Sequence, residues 1–290
     1  VATGSDAEAS ASLSSTPVTI QNIVPTITGV AIAPATAAAN EELTCSHAST
    51  DDVDGQAVSV TYSWSIGGVA AGTGPTLAAG TGVKGQTVDC TATPNDGVAD
   101  GTPGTATLTF VNALPDQPTV SIMPTTAQTA DALTCSAGPA ADSDGDAVTY
   151  TYAWFMGTTS IGTGATLAAG SAVRAETVRC EATPNDGEAD GPMGSASLTM
   201  SNTPPTVVTV LLTPTAATET TPVRCSAATA DLDGDAVTVS YRWTVNGTTV
   251  TGAITDVLTG QDYNRGDLVQ CYAMPNDSYD NGIETGSNIV

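Results

Sequence analysis

Apolar and polar residues alternate one for one through much of the chain. Val60, Tyr62, Trp64 and Ile66 are separated by Thr61, Ser63 and Ser65, and the pattern returns at Val148, Tyr150, Tyr152 and Trp154, then at Val237, Val239, Tyr241 and Trp243. Val88, Cys90 and Ala92 alternate likewise, as do Ala106, Leu108 and Phe110. A period of two belongs to a strand with one buried face and one wet face. No stretch shows a helical period. Small and β-branched residues, broken by frequent Gly and Pro, suit short strands and turns. The pattern predicts an all-β protein of sandwich type.

A longer period lies over the short one. Cys45, Cys135 and Cys225 stand 90 residues apart, and Cys90, Cys180 and Cys271 follow them by 45, 45 and 46 residues. Trp64, Trp154 and Trp243 keep the same register, as do the acidic stretches DDVDGQ, DSDGD and DLDGD. The junctions Asn22–Pro25, Asn112–Pro115 and Asn202–Pro205 repeat as well. Self-similarity of this length marks tandem units. A unit of about 90 residues buries its own core, which points to separate domains and not to solenoid turns. The expected boundaries are a tail or strand at 1–22 resembling the end of a preceding repeat, then domains at 23–112, 113–202 and 203–290, the last with a truncated closing strand.

Four features carry a resemblance: ADSDGDAV and ADLDGDAV, the Tyr-x-Trp of YAW and YRW, Val-Asn-Gly-Thr at 245–248, and Cys-x-Ala-x-Pro-Asn-Asp. On these the units resemble the bacterial Ig-like, PKD-like and cadherin-like repeats of secreted and cell-surface proteins. The resemblance implies three tandem Ig-like sandwiches, each with a disulfide between strands B and F and the strand-C tryptophan packed on it. The implied pairs are Cys45–Cys90, Cys135–Cys180 and Cys225–Cys271, and two cysteines per repeat in constant register favour this local pairing. Closing a loop of this size is worth about 4 kcal/mol on the chain-entropy model. Disulfides also imply an oxidising compartment, here an extracellular or cell-surface one. One departure is plain: Val88, Val178 and Val269 stand where antibody-type domains carry the tyrosine of the tyrosine corner.

In such a sandwich the B–C and F–G loops share one pole, where the domain's first strand begins. The Asp-rich stretch is then the B–C loop and Pro-Asn-Asp opens the F–G loop. The first unit brings together Asp51, Asp52, Asp54, Asn95, Asp96 and Asp100. The second offers Asp142, Asp144, Asp146, Asn185, Asp186 and Asp190, and the third Asp231, Asp233, Asp235, Asn276, Asp277 and Asp280. These loops hold 15 of the 22 aspartates, so the acidity is local.

Charge then narrows the partners. Asp and Glu number 30 against 6 Lys and Arg, a net charge of -24. Nucleic acid and anionic membrane surfaces call for clustered cations, so both are excluded as expected partners. No apolar run reaches the roughly 18 residues of a membrane span. Clustered carboxylates repel unless neutralised, and cations look too few to do so. Oxygen ligands on Asp/Asn/Gly loops suit Ca²⁺, which makes these residues candidate ligands. The competing reading is that Asp-Gly and Asn-Asp-Gly are ordinary turn formers bonding their own backbone. The stretch lacks the full EF-hand loop. Cofactors beyond Ca²⁺ are not expected.

No catalytic constellation stands out. His47 is the one histidine and lies beside Cys45, and no Ser or Thr has a histidine and carboxylate to activate it. The chain lacks an initiator Met and a signal peptide, which reads as a processed or excised piece. Residues 15–22 align with 195–202, and 286–290 with 194–198. Two explanations stay open: a window cut from a longer repeat protein, or an N-terminal strand that completes domain three of the next subunit in a head-to-tail fibre. The expected function is a non-enzymatic extracellular rod, filament or stalk subunit of a bacterial surface protein, stiffened by Ca²⁺ at its junctions. Its partners would be further copies or neighbouring repeats. The alternative is an adhesin or carbohydrate- or protein-binding stalk whose ligand meets the divergent domain-three loop with Tyr263, Asn264 and Arg265.

Overall fold

The computed structural model describes residues 2–5 and 10–290, all strand, turn or loop. The tail expected at 1–22 falls partly outside the described residues. Ala2–Ser5 pairs antiparallel with Ser10–Leu13, and residues 14–24 are exposed and in no strand. The chain divides into two compact units. One runs to Ala113 and includes Ser143–Asp146; the other comprises Leu114–Asp142 and Ala147–Val290.

Three sandwiches of one plan account for the remaining strands. In the second domain, Gly194–Thr199, Thr177–Asn185, Thr149–Met156 and Thr159–Thr163 lie side by side in that order, and Val120–Met123, Leu133–Ala137 and Thr166–Leu167 form the facing sheet. The third domain repeats this with Thr285–Gly286, Val269–Asn276, Thr238–Val245 and Thr248–Thr249 against Thr206–Thr213, Val223–Ala230 and Val257–Leu258. In the first domain, Gly104–Thr109, Thr87–Asn95, Ser59–Ile66 and Val69–Thr73 form the larger sheet. Its opposite sheet is split into Ala31–Ala33, Leu43–Ser46 and Thr76–Leu77, with Thr26–Thr28 and Ser49–Asp51 as a separate pair. The strand that carries the second cysteine obeys the period of two in every sandwich. Thr177–Asn185 strictly alternates between more and less buried positions, with Val178, Cys180 and Ala182 fully covered.

The three disulfides join the sheets as expected: Cys45–Cys90, Cys135–Cys180 and Cys225–Cys271. Trp64, Trp154 and Trp243 sit opposite Cys90, Cys180 and Cys271 on the neighbouring strand and are buried. A buried indole needs a partner for its N–H. Gly74 and Gly164 supply carbonyls at 3.0 Å, and Thr255 does so at 2.8 Å. Val88, Val178 and Val269, in the place of the missing tyrosine, are core residues.

Truncating such a tryptophan opens a large hole that few neighbours can fill. Trp154→Ala should destabilise the second domain by about 3–5 kcal/mol, read as a loss of urea midpoint in an unfolding titration.

Candidate functional site at the acidic pole

The arriving chain and both acidic loops meet at one pole. In the first domain Asn22 Nδ2 donates to Asp96 Oδ2 at 2.8 Å, and the Ile23 N–H donates to Asp54 Oδ2 at 2.7 Å. In the third, Asn202 Nδ2 donates to Asp277 at 2.8 Å and to Asp280 at 3.0 Å, while the Thr203 N–H donates to Asp233 at 2.6 Å. The prolines that follow, Pro25, Pro115 and Pro205, are buried. Their carbonyls lie against Gly101, Gly191 and Gly282, where a Cβ would stand 1.8, 2.3 and 1.9 Å from the oxygen. Only glycine admits so close a backbone.

The Asn-Asp loops hold themselves. Asp96 Oδ1 accepts the N–H groups of Val98 and Ala99 at 2.7 and 2.8 Å, and Asn95 bonds Gly97 and Asp100. Asn185, Asp186 and Asp190 repeat this arrangement. In the third domain Asn276 pairs with Asn281, which takes the place of Asp100 and Asp190, so the predicted Asp280 does not stand there. Asp280 instead follows Asp277 as Ala99 follows Asp96 by three, and it turns to Asn202. The turn-forming reading of these loops is the one the hydrogen bonds carry out.

The Asp-rich loops do something else. Asp51 ends the strand Ser49–Asp51, exposed and in register with Thr26. Asp52 caps its own loop by accepting the Gln56 N–H. Asp231 does the same with the N–H groups of Asp233 and Asp235 at 2.8 and 3.1 Å. The carboxylates of Asp231, Asp233 and Asp235 lie within 4.8 Å of one another, as do those of Asp142, Asp144 and Asp146.

Cations and amides then neutralise what the sequence left unpaired. Arg174, from the second domain, makes a two-pronged bond to Asp235, both contacts 2.9 Å, and its guanidinium lies 3.7 Å over the Tyr279 ring. The Arg174 N–H reaches Asp233 at 3.1 Å, and the Thr129 hydroxyl bonds the same carboxylate. Thr129 N–H also donates to Thr203 Oγ1 at 2.9 Å, so two buried threonines tie the second domain to the arriving chain. In the first unit Lys84 plays the same part: its N–H meets Asp144 at 2.9 Å and its Nζ meets Asp146 at 2.8 Å, while the Ala113 N–H meets Asp144 at 2.7 Å. The cations looked too few to neutralise these loops, yet two of the six, Lys84 and Arg174, stand on them. Lys84 and Arg174 are 90 residues apart, the repeat's own interval, and that was the signal available in the sequence.

Electrostatics follow from the donors. Burial alone would raise the Asp233 carboxyl, but the Thr129 hydroxyl and the Thr203 and Arg174 amides outweigh it and hold it below the usual range. Asp277 is lowered against burial by the Asp280 amide and Asn202, and Asp96 by the Ala99 amide and Asn22. Asp235 pushes the Arg174 guanidinium up. A Ca²⁺ ion takes six to eight oxygens. In the 231–235 cluster both oxygens of Asp233 and of Asp235 already accept donors, and Asp231 Oδ2 is the buried oxygen without a partner. As arranged, this donor set serves protein N–H and O–H groups.

His47 Nδ1 lies 2.6 Å from the Tyr62 hydroxyl on the sandwich. Tyr263 is not an exposed stacking platform: it is buried, with its hydroxyl on the Thr221 carbonyl.

No family model matches the chain, and no curated protein matches it. Among solved structures it is similar to the three N-terminal domains of the bacteriophage RB49 Highly Immunogenic Outer Capsid protein (Hoc), at 15% identity and TM-score 0.33, covering 91% of this chain and 96% of that one. It is also similar to the chicken CNTN1 FN1–FN3 domains, at 10% identity and TM-score 0.28, covering 92% and 98%. The fold assignment rests on the sheet order and the disulfides described above.

Two outcomes test the pole. Gly282→Ala should destabilise the third domain by about 1–3 kcal/mol, seen as an earlier urea transition. Carboxyls with depressed folded-state pKa stabilise the protein above the unfolded value of about 3.9 and lose that contribution as pH falls through the folded value. Asp233→Asn should therefore lower the melting temperature at neutral pH and flatten its further fall below about pH 4, measured by calorimetry at stepped pH.

Proposed function

We propose that the chain is a non-enzymatic structural module of an extracellular surface protein: a rod or stalk segment whose domains are locked to one another through their acidic poles. One observation carries this reading. At the joint between the second and third domains, Asp233 and Asp235 are consumed by Arg174, Thr129 and Thr203, leaving the acidic loop engaged with its neighbour and not with a substrate. The buried Pro205 against Gly282 and the short linker support it, because a few residues with proline leave little hinge freedom. The three disulfides support the compartment, since they persist where conditions are oxidising.

On this reading the protein's own cation, and not Ca²⁺, fastens the joint. Arg174→Ala should leave each sandwich folded but loosen the joint, which small-angle scattering records as a broader distribution of lengths. Unchanged scattering would remove Arg174 from this role. The calcium reading has its own check: adding Ca²⁺ or a chelator should leave the melting temperature and the scattering profile of the parent unaltered. A calcium-dependent gain in either would put the ion back at the joint.

A further inference from the structure

The chain has one lysine, Lys84, and its amine is held against a side-chain amide. Nζ donates to Asn112 Oδ1 at 3.1 Å and to Asp146 Oδ2 at 2.8 Å. All three residues are half-buried. An amine in contact with both a carboxamide and a carboxylate has the groups that a transamidation needs: nucleophile, acyl donor and proton carrier.

The backbone on either side holds the pair together. The Gly85 N–H donates to the Phe110 carbonyl at 2.9 Å, and the Phe110 N–H donates to the Gln86 carbonyl at 3.0 Å. Phe110 is buried, and the Val111 N–H is tied to the Ala37 carbonyl. Asp144 then bridges the two segments directly. One of its oxygens accepts the Lys84 N–H at 2.9 Å and the other accepts the Ala113 N–H at 2.7 Å. Lys84 and Asn112 therefore meet on fixed backbones. Reacting groups held in this way act at an effective concentration of up to roughly 10⁵–10⁸ M.

The sister repeat shows that the ion pair does not require this contact. Arg174 and Asn202 hold the corresponding places, 90 residues further on. There the guanidinium makes its two-pronged bond to Asp235, while Asn202 Oδ1 is a buried oxygen without a hydrogen-bond partner. The arginine serves its aspartate and makes no bond to that oxygen. A guanidinium stays charged and is no nucleophile, whereas a lysine amine gives up a proton when a base is at hand.

We propose that Lys84 and Asn112 form an isopeptide bond, with Asp146 carrying the protons. Nζ gives a proton to the Asp146 carboxylate and attacks Cγ of Asn112. The Nζ–Cγ bond forms and the Cγ–Nδ2 bond breaks. Of the three ammonium protons, one stays on the new amide and two leave with Nδ2 as an ammonium ion, so the Asp146 carboxylate is regenerated. Nothing is oxidised or reduced. Asp144 is a positioning residue, because it grips the backbone of both segments and not the reacting atoms. The bond ties the end of the first domain, where the Asn112–Pro115 junction begins, to the loop that precedes its second cysteine. A cross-link there suits a rod that bears load along the chain, but it stands on the geometry at Lys84 and not on the rod reading.

The test is the intact mass of the folded 290-residue protein. The mass should fall short of the disulfide-bonded sequence by one ammonia. An amine-reactive dye should label the N-terminus alone, since no other lysine exists. A digest should yield a branched peptide that joins residues 84 and 112. Lys84→Arg, which installs the residue of the sister repeat, should have the full mass, as should Asn112→Ala. Asp146→Asn should acquire the bond more slowly, by roughly 10²–10⁴-fold. A parent of full mass with a labelled Lys84, after incubation at neutral and mildly alkaline pH, would overturn the bond. Loss of water in place of ammonia would move the acceptor to an aspartate and remove Asn112. Loss of ammonia that persists in Lys84→Arg would mean ring closure of an asparagine on its own backbone, which also refutes the cross-link. Equal rates in the parent and Asp146→Asn would strike out Asp146 as proton carrier. The parent's mass decides the matter even where a variant fails to fold. Scattering of Arg174→Ala reads the joint between the second and third domains, so the rod and the bond fail separately.

Discussion

The contact on which each domain depends is a tryptophan laid against a disulfide between two facing sheets. Aromatic residues make up only 4% of the chain, and two phenylalanines serve the whole of it. Small side chains bury little apolar area, so the few large ones and the covalent bridge supply a disproportionate share of the core. Trp64, Trp154 and Trp243 are each placed by pairing with the second cysteine of the domain, and each indole N–H is satisfied by a carbonyl at the opposite edge. With the centre of the sandwich fixed in this way, its loops are free to differ while the poles keep their geometry.

The acidity of the chain follows from the same plan. A carboxylate that accepts two or three backbone N–H groups is a compact way to terminate a loop and to receive an incoming chain. Asp96 and Asp277 do both: one oxygen closes the loop and the other takes Asn22 or Asn202. Asp233 goes further and accepts donors from two domains at once. Arg174 adds a two-pronged bond to Asp235 beside it.

The all-β class, the disulfide pairs and the shared pole of the two acidic loops were legible in the residues, because periodicity of two, constant cysteine register and turn chemistry are local properties that repetition amplifies. So was the equivalence of residues 18–22 with 198–202. The sequence did not reveal the partners of the carboxylates. Repetition hid Lys84 and Arg174, since a cation contacts the following repeat and not its own. Asp280 was singled out for its acidity, whereas the three loops are equally long and strand pairing sets Asn281 in the place of Asp190. Composition and period determined what each domain is made of; tertiary packing alone decided which charges meet, since that depends on distances between residues far apart in the chain.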